Sequence, residues 1–164
     1  MDRLWAPWRL SYVTAAPAPP TDCIFCEARK SRDHELVLLH GRHSFVILNL
    51  YPYNNGHLMV VPNRHVSTLE SLEEPERNEL MSLTRLSEMA LTEAYHPQGM
   101  NIGINLGKAA GAGIENHLHV HLVPRWWGDT NFMTAVGQTR VLPEDLRATA
   151  TRLKPIFERL AELL

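Results

Sequence analysis

No stretch of this 164-residue chain stays apolar for the roughly 20 residues that a membrane-spanning helix needs, so no membrane partner is expected. Cysteine is scarce: Cys23 and Cys26, separated by Ile24 and Phe25, are the only two. That is too few for the disulfide framework of a small secreted domain. The opening residues, Met1-Asp2-Arg3-Leu4-Trp5-Ala6-Pro7-Trp8-Arg9, lack the apolar core of a secretion signal, and a reducing cytoplasm is the expected home. An excess of positive charge is missing as well. The 16 Lys and Arg stand against 18 Asp and Glu, for a net −2 without a basic block, which argues against a nucleic-acid partner. Any phosphate must be held at a local site.

Histidine, by contrast, is plentiful. Three of the nine fall in one run, His117-Leu118-His119-Val120-His121-Leu122-Val123. Side chains alternate faces along a strand, so the run predicts an apolar face on the core and a row of imidazoles facing out. Imidazole changes charge near neutral pH and can serve as nucleophile, acid, base or metal ligand. Successive imidazoles on one face sit ~6.6 Å apart at the backbone, and three spread over ~13 Å. Two can converge on one ion, whereas three at that span do not match bonds of ~2 Å to a single zinc. At least one of the three is therefore expected to do something else. The plainer reading is three solvated histidines on an exposed strand, and His34, His40, His43 and His96 read as ordinary surface or core histidines.

Along the chain, the Pro-rich stretch Thr14–Pro20 reads as an extended linker behind the Trp-bearing N-terminus. Short strands are predicted over Leu36–Leu39, His43–Leu48, His57–Val61 and Met100–Leu106, with Tyr51-Pro52-Tyr53-Asn54-Asn55-Gly56 as a dense turn signal. A helix is predicted over Glu76–Tyr95, introduced by a capping box at Ser71-Leu72-Glu73-Glu74 with Pro75 in the first turn, and ended by Pro97 and Gly99. A second begins at Pro143-Glu144 and runs to the C-terminus, with Pro155 as a place for a kink. One domain of α+β class, mainly an antiparallel sheet with two helices, accounts for this pattern. Its divisions are an extension at residues 1–20, a catalytic part at 21–142 and a C-terminal helix at 143–164 packing on it.

Before the histidine run lies Gly107-Lys108-Ala109-Ala110-Gly111-Ala112-Gly113. Its glycines let backbone N–H groups approach an anion, with Lys108 as a nearby charge. It is neither a Walker A loop nor a dinucleotide fingerprint, since no Gly-Lys-Ser/Thr ending and no helix follows. A plain glycine-rich hairpin loop is the other reading. The Cys-x-x-Cys pair could be a redox couple, although no thioredoxin-like βαβ unit follows it.

The run His117–Val123, the upstream Asn105-Leu106-Gly107 with Ala110-Gly111, and the segment Tyr51–Pro62 together resemble the histidine triad (HIT) superfamily of nucleotidyl transferases and hydrolases. Leu4–Arg9 and Pro124-Arg125-Trp126-Trp127-Gly128-Asp129-Thr130-Asn131-Phe132-Met133 are similar to its bacterial diadenosine tetraphosphate phosphorylase-like branch, related to the fragile-histidine-triad hydrolases. The resemblance spans Leu4 to about Leu142. It implies the HIT fold, with the sheet paired across a homodimer or a larger assembly. It also implies cleavage of dinucleoside polyphosphates through a nucleotidyl-histidine intermediate, by phosphorolysis or hydrolysis, on AMP- or ATP-containing substrates.

Residue by residue, the resemblance makes His119 the nucleophile, His121 the contact to phosphate and leaving oxygen, and His57 the histidine that orients His121. Asn49 matches the position that binds the ribose hydroxyls. Asn105 and the backbone of Gly107, Gly111, Ala112 and Gly113 match the phosphate site. Where the family usually carries Ser, Thr or Gln late in this loop, the chain has Ala112, Gly113 and Ile114, which leaves water and inorganic phosphate both open as acceptor. The resemblance also implies a structural zinc on Cys23, Cys26, His65 and His117, and no organic cofactor. Trp5 and Trp8 read as core or dimer-interface anchors, with base stacking as an alternative for Trp126 or Trp127. Competing activities are a Hint-like nucleoside phosphoramidate hydrolase, a slow nucleotide-binding regulatory module and a metal-dependent hydrolase.

Overall fold

Short runs of β-branched and aromatic residues, broken by glycine and asparagine turns, build an antiparallel sheet. The computed structural model describes residues 23–31, 34–130 and 144–163. The linker, Trp5 and Trp8, and the segment 131–143 lie outside the described residues. Five strands, β1 (Val37–His40), β2 (Ser44–Leu48), β3 (Leu58–Pro62), β4 (Gly99–Ile104) and β5 (Val120–Arg125), lie in the order β1-β2-β3-β5-β4. Every neighbouring pair is antiparallel.

The helices are α1 (Ile24–Lys30), α2 (Glu74–Tyr95) and α3 (Leu146–Ala161). In α2, Leu80, Leu83, Leu86, Ser87, Ala90 and Leu91 are buried at the spacing of one helical face. That face packs on β2, β3 and β5, while α3 lies against α2 and β1 through Leu153, Phe157 and Leu160. Helix α3 continues through Pro155, and its N-cap Asp145 accepts the N–H groups of Arg147 and Ala148. The central strands β2 and β3 are buried along their whole length. Strand β4 is different. It is the outermost strand on its side, and its residues are exposed or half-buried, with Ile102 open to solvent.

Four expectations need correction. Helix α1 makes a third helix; at seven residues it is too short to show periodicity in the sequence. The capping box is two residues later than expected: Glu73 is the N-cap, and the carboxylate of Glu76 accepts its N–H. Arg64 holds that carboxylate in place from the side, at 2.6 Å. Strand β5 starts at Val120, so His117 and His119 precede the ladder. Nor do the imidazoles face solvent: His117 and His119 are buried, His121 is half-buried, and Phe25 of α1 packs on the rings of His117 and His119 at 5.4 and 5.1 Å.

The turn joining β1 to β2 is closed by the Gly41 N–H on the Ser44 carbonyl at 2.8 Å and braced from outside itself. A Cβ at Gly41 would stand 2.7 Å from the Ser44 carbonyl oxygen, so the bend requires glycine. The N–H groups of Arg42, His43 and Ser44 all donate to the carboxylate of Glu79 on α2. Charge-assisted bonds to a partly buried carboxylate are the stronger kind, so Glu79→Ala is expected to cost about 2–3 kcal/mol. Urea unfolding checks this; a loss within ~0.5 kcal/mol, the size of an ordinary surface substitution, would show that water replaces the carboxylate.

Candidate active site and metal centre

Antiparallel pairing of β3 with β5 sets Met59 opposite His121 and Leu58 opposite Leu122. His57, one residue before β3, thereby comes within reach of His121, and its Nε2 lies 3.0 Å from His121 Nδ1. His119 stands edge-on to His121, with ring centroids 4.7 Å apart. The three imidazoles form one cluster. On the β4 side, Gly103 pairs with His121, and a Cβ there would meet nothing within 4 Å. Open space therefore lies along the histidines at that edge.

Hydrogen-bond accounting fixes the tautomers. The Tyr53 N–H donates to His57 Nδ1 at 3.0 Å, and the Asn49 amide approaches the same nitrogen at 3.3 Å. A nitrogen that accepts carries no proton, so His57 carries its proton on Nε2 and donates it to His121 Nδ1. His121 is then protonated on Nε2. His119 Nδ1 lies 2.8 Å from the His117 carbonyl oxygen, which can only accept. The proton of His119 thus sits on Nδ1, and Nε2 keeps its lone pair. One imidazole presents a base and the next presents an N–H.

All three imidazoles are held neutral. Burial, followed by the charges of His121 and His119, pushes His57 down to about 3. Burial and then His119 push His121 down to about 4. Burial also lowers His119, opposed by its bond to the His117 carbonyl. A neutral imidazole with a directed lone pair is what nucleophilic attack requires.

On the other side of His117 lies a second cluster. Cys23 Sγ and Cys26 Sγ lie 3.2 and 3.7 Å from His117 Nδ1, and Cys26 Sγ lies 3.3 Å from His65 Nδ1. The four candidate ligand atoms all fall within 4.8 Å of one another. Bonds of 2.0–2.3 Å in a tetrahedron put neighbouring ligand atoms about 3.4–3.8 Å apart, so these contacts fit one ion. The tautomer fits as well: His117 Nε2 donates to the Pro62 carbonyl at 2.9 Å, leaving Nδ1 as a lone pair facing the sulfurs. The Cys26 thiol is pushed up by burial, then by its hydrogen bond with Cys23 and the charge there, a penalty on its thiolate that a bound cation would relieve. Of the triad, His117 alone joins this group; His119 and His121 do not.

The remaining expected residues are placed as follows. Asn49 turns its Oδ1 to the Tyr51 N–H and its amide nitrogen to His57. Asn105 follows β4 directly, half-buried. In the loop, Lys108–Ala110 form a single 3₁₀ turn, with Gly107 and Gly111 at φ +76° and +87°. The N–H groups of Ala110 and Ala112 bond the Gly107 carbonyl, and that of Gly111 bonds the Lys108 carbonyl. Those three are occupied inside the loop rather than offered outward. Trp127 is 88% exposed, while Trp126 packs edge-on to Tyr95. Sequence reasoning missed Phe25 and Tyr53; Tyr53 rests its ring on His57 at 4.6 Å besides donating its N–H. The position of Phe25 between the two cysteines was the available signal.

The lowered histidines set a pH dependence of stability. His57 and His121 titrate near 3 and 4 when folded but near 6.5 when unfolded. Between those values the unfolded chain binds more protons, so stability is full above about pH 6.5 and falls as pH drops toward 4, by about 1.4 kcal/mol per pH unit for each histidine. Guanidinium melts between pH 7 and 4.5 should show this slope, and a shallower one in His57→Gln. A flat profile in the wild type would contradict it.

Residues 30–126 match the HIT domain. The chain is 45% identical over 168 aligned residues to the AP-4-A phosphorylase of Mycobacterium tuberculosis, covering 97% of this chain and 86% of that one. Among solved structures it is similar to a zinc-bound histidine triad family protein from Mycobacterium smegmatis, with TM-score 0.70, 24% identity, and 87% of this chain and 98% of that one covered. A hypothetical histidine triad nucleotide-binding protein from Sulfolobus tokodaii gives TM-score 0.69 at 26% identity, over 84% and 93% of the two chains. Domain match, identity and fold agree, and the chain belongs to the histidine triad (HIT) family.

Proposed function

We propose that the protein cleaves dinucleoside polyphosphates by nucleotidyl transfer through His119, with diadenosine tetraphosphate as the substrate to test first. The observation that carries this reading is the pair of opposed tautomers. His119 Nε2 keeps a lone pair because Nδ1 is tied to the His117 carbonyl, while His121 Nε2 keeps a proton because Nδ1 accepts from His57. In the first half-reaction His119 Nε2 attacks the α-phosphorus, the bridging P–O bond breaks, and the departing oxygen takes the proton of His121 Nε2. In the second, an acceptor oxygen attacks the same phosphorus, its proton returns to His121 Nε2, and the N–P bond breaks to restore the His119 lone pair. With inorganic phosphate as acceptor the products are ADP and ATP; with water they are AMP and ATP. The name carried by the mycobacterial relative favours phosphate.

Asn49 serves the ribose hydroxyls, and Asn105 with the Gly107–Gly113 loop holds the phosphates. Within that loop Gly111 and Ala112 act through the turn they shape, since their N–H groups are already bonded, and Gly107 and Gly113 offer the close backbone approach. Cys23, Cys26, His65 and His117 hold a zinc ion, which when bound would pin α1 to the segment before β5. A homodimer joined along β4 accounts for the exposed, apolar edge of Met100, Ile102 and Ile104. The cytoplasm is the compartment in which two thiols stay reduced, and among the described residues no helix is long and apolar enough to cross a membrane.

Incubation with diadenosine tetraphosphate, with and without phosphate, tests the reaction. ADP plus ATP forming only with phosphate is expected, and His119→Ala should lose at least about 10³-fold in rate, as removal of a covalent nucleophile does. No turnover in the wild type, or full activity in His119→Ala, would sink the mechanism. Elemental analysis checks the metal separately: one zinc per chain in the wild type and little in Cys23→Ala. Equal zinc in both would remove Cys23 from the site.

A further inference from the structure

The Arg125–Asp129 segment closes over the turn that precedes β3. Asp129, whose side chain is 8% exposed, takes both ends of the Arg125 guanidinium, from Nε at 2.5 Å and from Nη2 at 3.0 Å. It also accepts from the Asn54 side chain at 3.0 Å and lies within reach of the Trp126 N–H and the Thr130 hydroxyl. Arg125 is steadied in turn by Asn101 of β4, through Nη1 at 2.8 Å. Asn54 is itself buried, and its amide nitrogen donates a second bond to the Pro124 carbonyl. One side chain thus fastens the turn to the C-terminal end of β5 at two points.

That turn sets the tautomer of the relay. Asn54 accepts the His57 N–H through its carbonyl, Gly56 supplies the positive φ of +73°, and the adjoining residue Tyr53 aims its N–H at His57 Nδ1. Shifting Asn54 changes the offset between Tyr53 and His57, because Tyr53 is its covalent neighbour whereas His57 meets it only through the carbonyl bond. Asn49 also approaches His57 Nδ1, but at 3.3 Å and with 3.5 Å to Nε2 it addresses the ring less selectively than the Tyr53 amide does.

We propose that Asp129, acting through Asn54, is a positioning residue for the histidine relay: it holds the Tyr53 amide on His57 Nδ1 and so determines that His121 carries its proton on Nε2, toward the leaving group. The catalytic part of this inference rests on the reaction proposed above. The tautomer part does not, because it concerns the free protein.

The test is nitrogen NMR of ring-labelled histidines in the full chain, alongside steady-state kinetics with diadenosine tetraphosphate. In the wild type His57 and His121 each show a single Nε2–H tautomer. In Asp129→Ala, and in Asn54→Ala, which leaves the Arg125–Asp129 pair in place, His57 gains an Nδ1–H population. In both, kcat falls between about tenfold and a hundredfold, less than the roughly 10²–10⁴-fold that a general acid contributes because the acid is misdirected in only part of the population, while KM stays within about twofold. Arg64→Ala, which removes a partner of the α2 cap, is the control: it lowers stability and leaves both tautomers unchanged. If the two variants fold and keep the wild-type imidazole spectrum, or if Arg64→Ala perturbs it equally, Asp129 is a brace for the chain and the proposal fails. If the wild type turns nothing over while the variants still change the spectrum, the reaction assignment fails and the positioning role stands.

Discussion

The bond from His119 Nδ1 to the main-chain carbonyl of His117 decides what the rest of the site can do. An imidazole has two nitrogens and, when neutral, one proton; a carbonyl partner makes the choice between them. With that carbonyl in place, Nε2 of His119 is a base aimed away from the backbone. The carbonyl stays in place because His117 is held by its own side chain, with Nε2 on Pro62 at the end of β3 and Nδ1 toward the two sulfurs. The ring of His117 therefore serves one cluster and its backbone serves the other. The two clusters are two uses of a single residue.

Neutrality is the second requirement, and packing supplies it. Phe25 covers His117 and His119 from α1, and Tyr53 covers His57 from the turn before β3. Burial of this kind disfavours the charged form of an imidazole. The same rings that exclude water also fix orientation, so basicity and aim are set by one layer of contacts. Beside them the missing side chain of Gly103 leaves open space above the sheet. The histidines are thus covered where low dielectric matters and uncovered beside Gly103.

Much of this was legible in the sequence, and the reasons differ by element. Alternation in His117–Val123 marked a strand and a common face because period two is a backbone property. Its start was misplaced by three residues, since pairing depends on β3 and β4, which the local pattern does not contain. The side of the row was misjudged too: a polar face reads as solvated, whereas α1 and a turn cover it. Helix α2 was visible through its long apolar spacing, but α1 was not, because seven residues carry just under two turns of signal. The four-residue metal cluster was reached by resemblance; spacing alone could not join Cys23 to His117 across 94 positions. Tyr53 and Asp129 lay beyond reach for another reason: what Tyr53 offers His57 is an N–H that every residue but proline has, and Asp129 acts through contacts made 75 positions away.

The carboxylate of Glu79, seated on three backbone N–H groups of the first hairpin turn, ties together residues 35 to 37 positions apart. A hairpin is normally a local unit that closes within its own sequence. This one closes with its own bond from the Gly41 N–H to the Ser44 carbonyl, and α2 then occupies the N–H groups that the bend leaves over. The part of the sheet farthest from the histidines is thereby closed by its own loop and also anchored to a helix, so a movement of α2 is carried directly into the first hairpin.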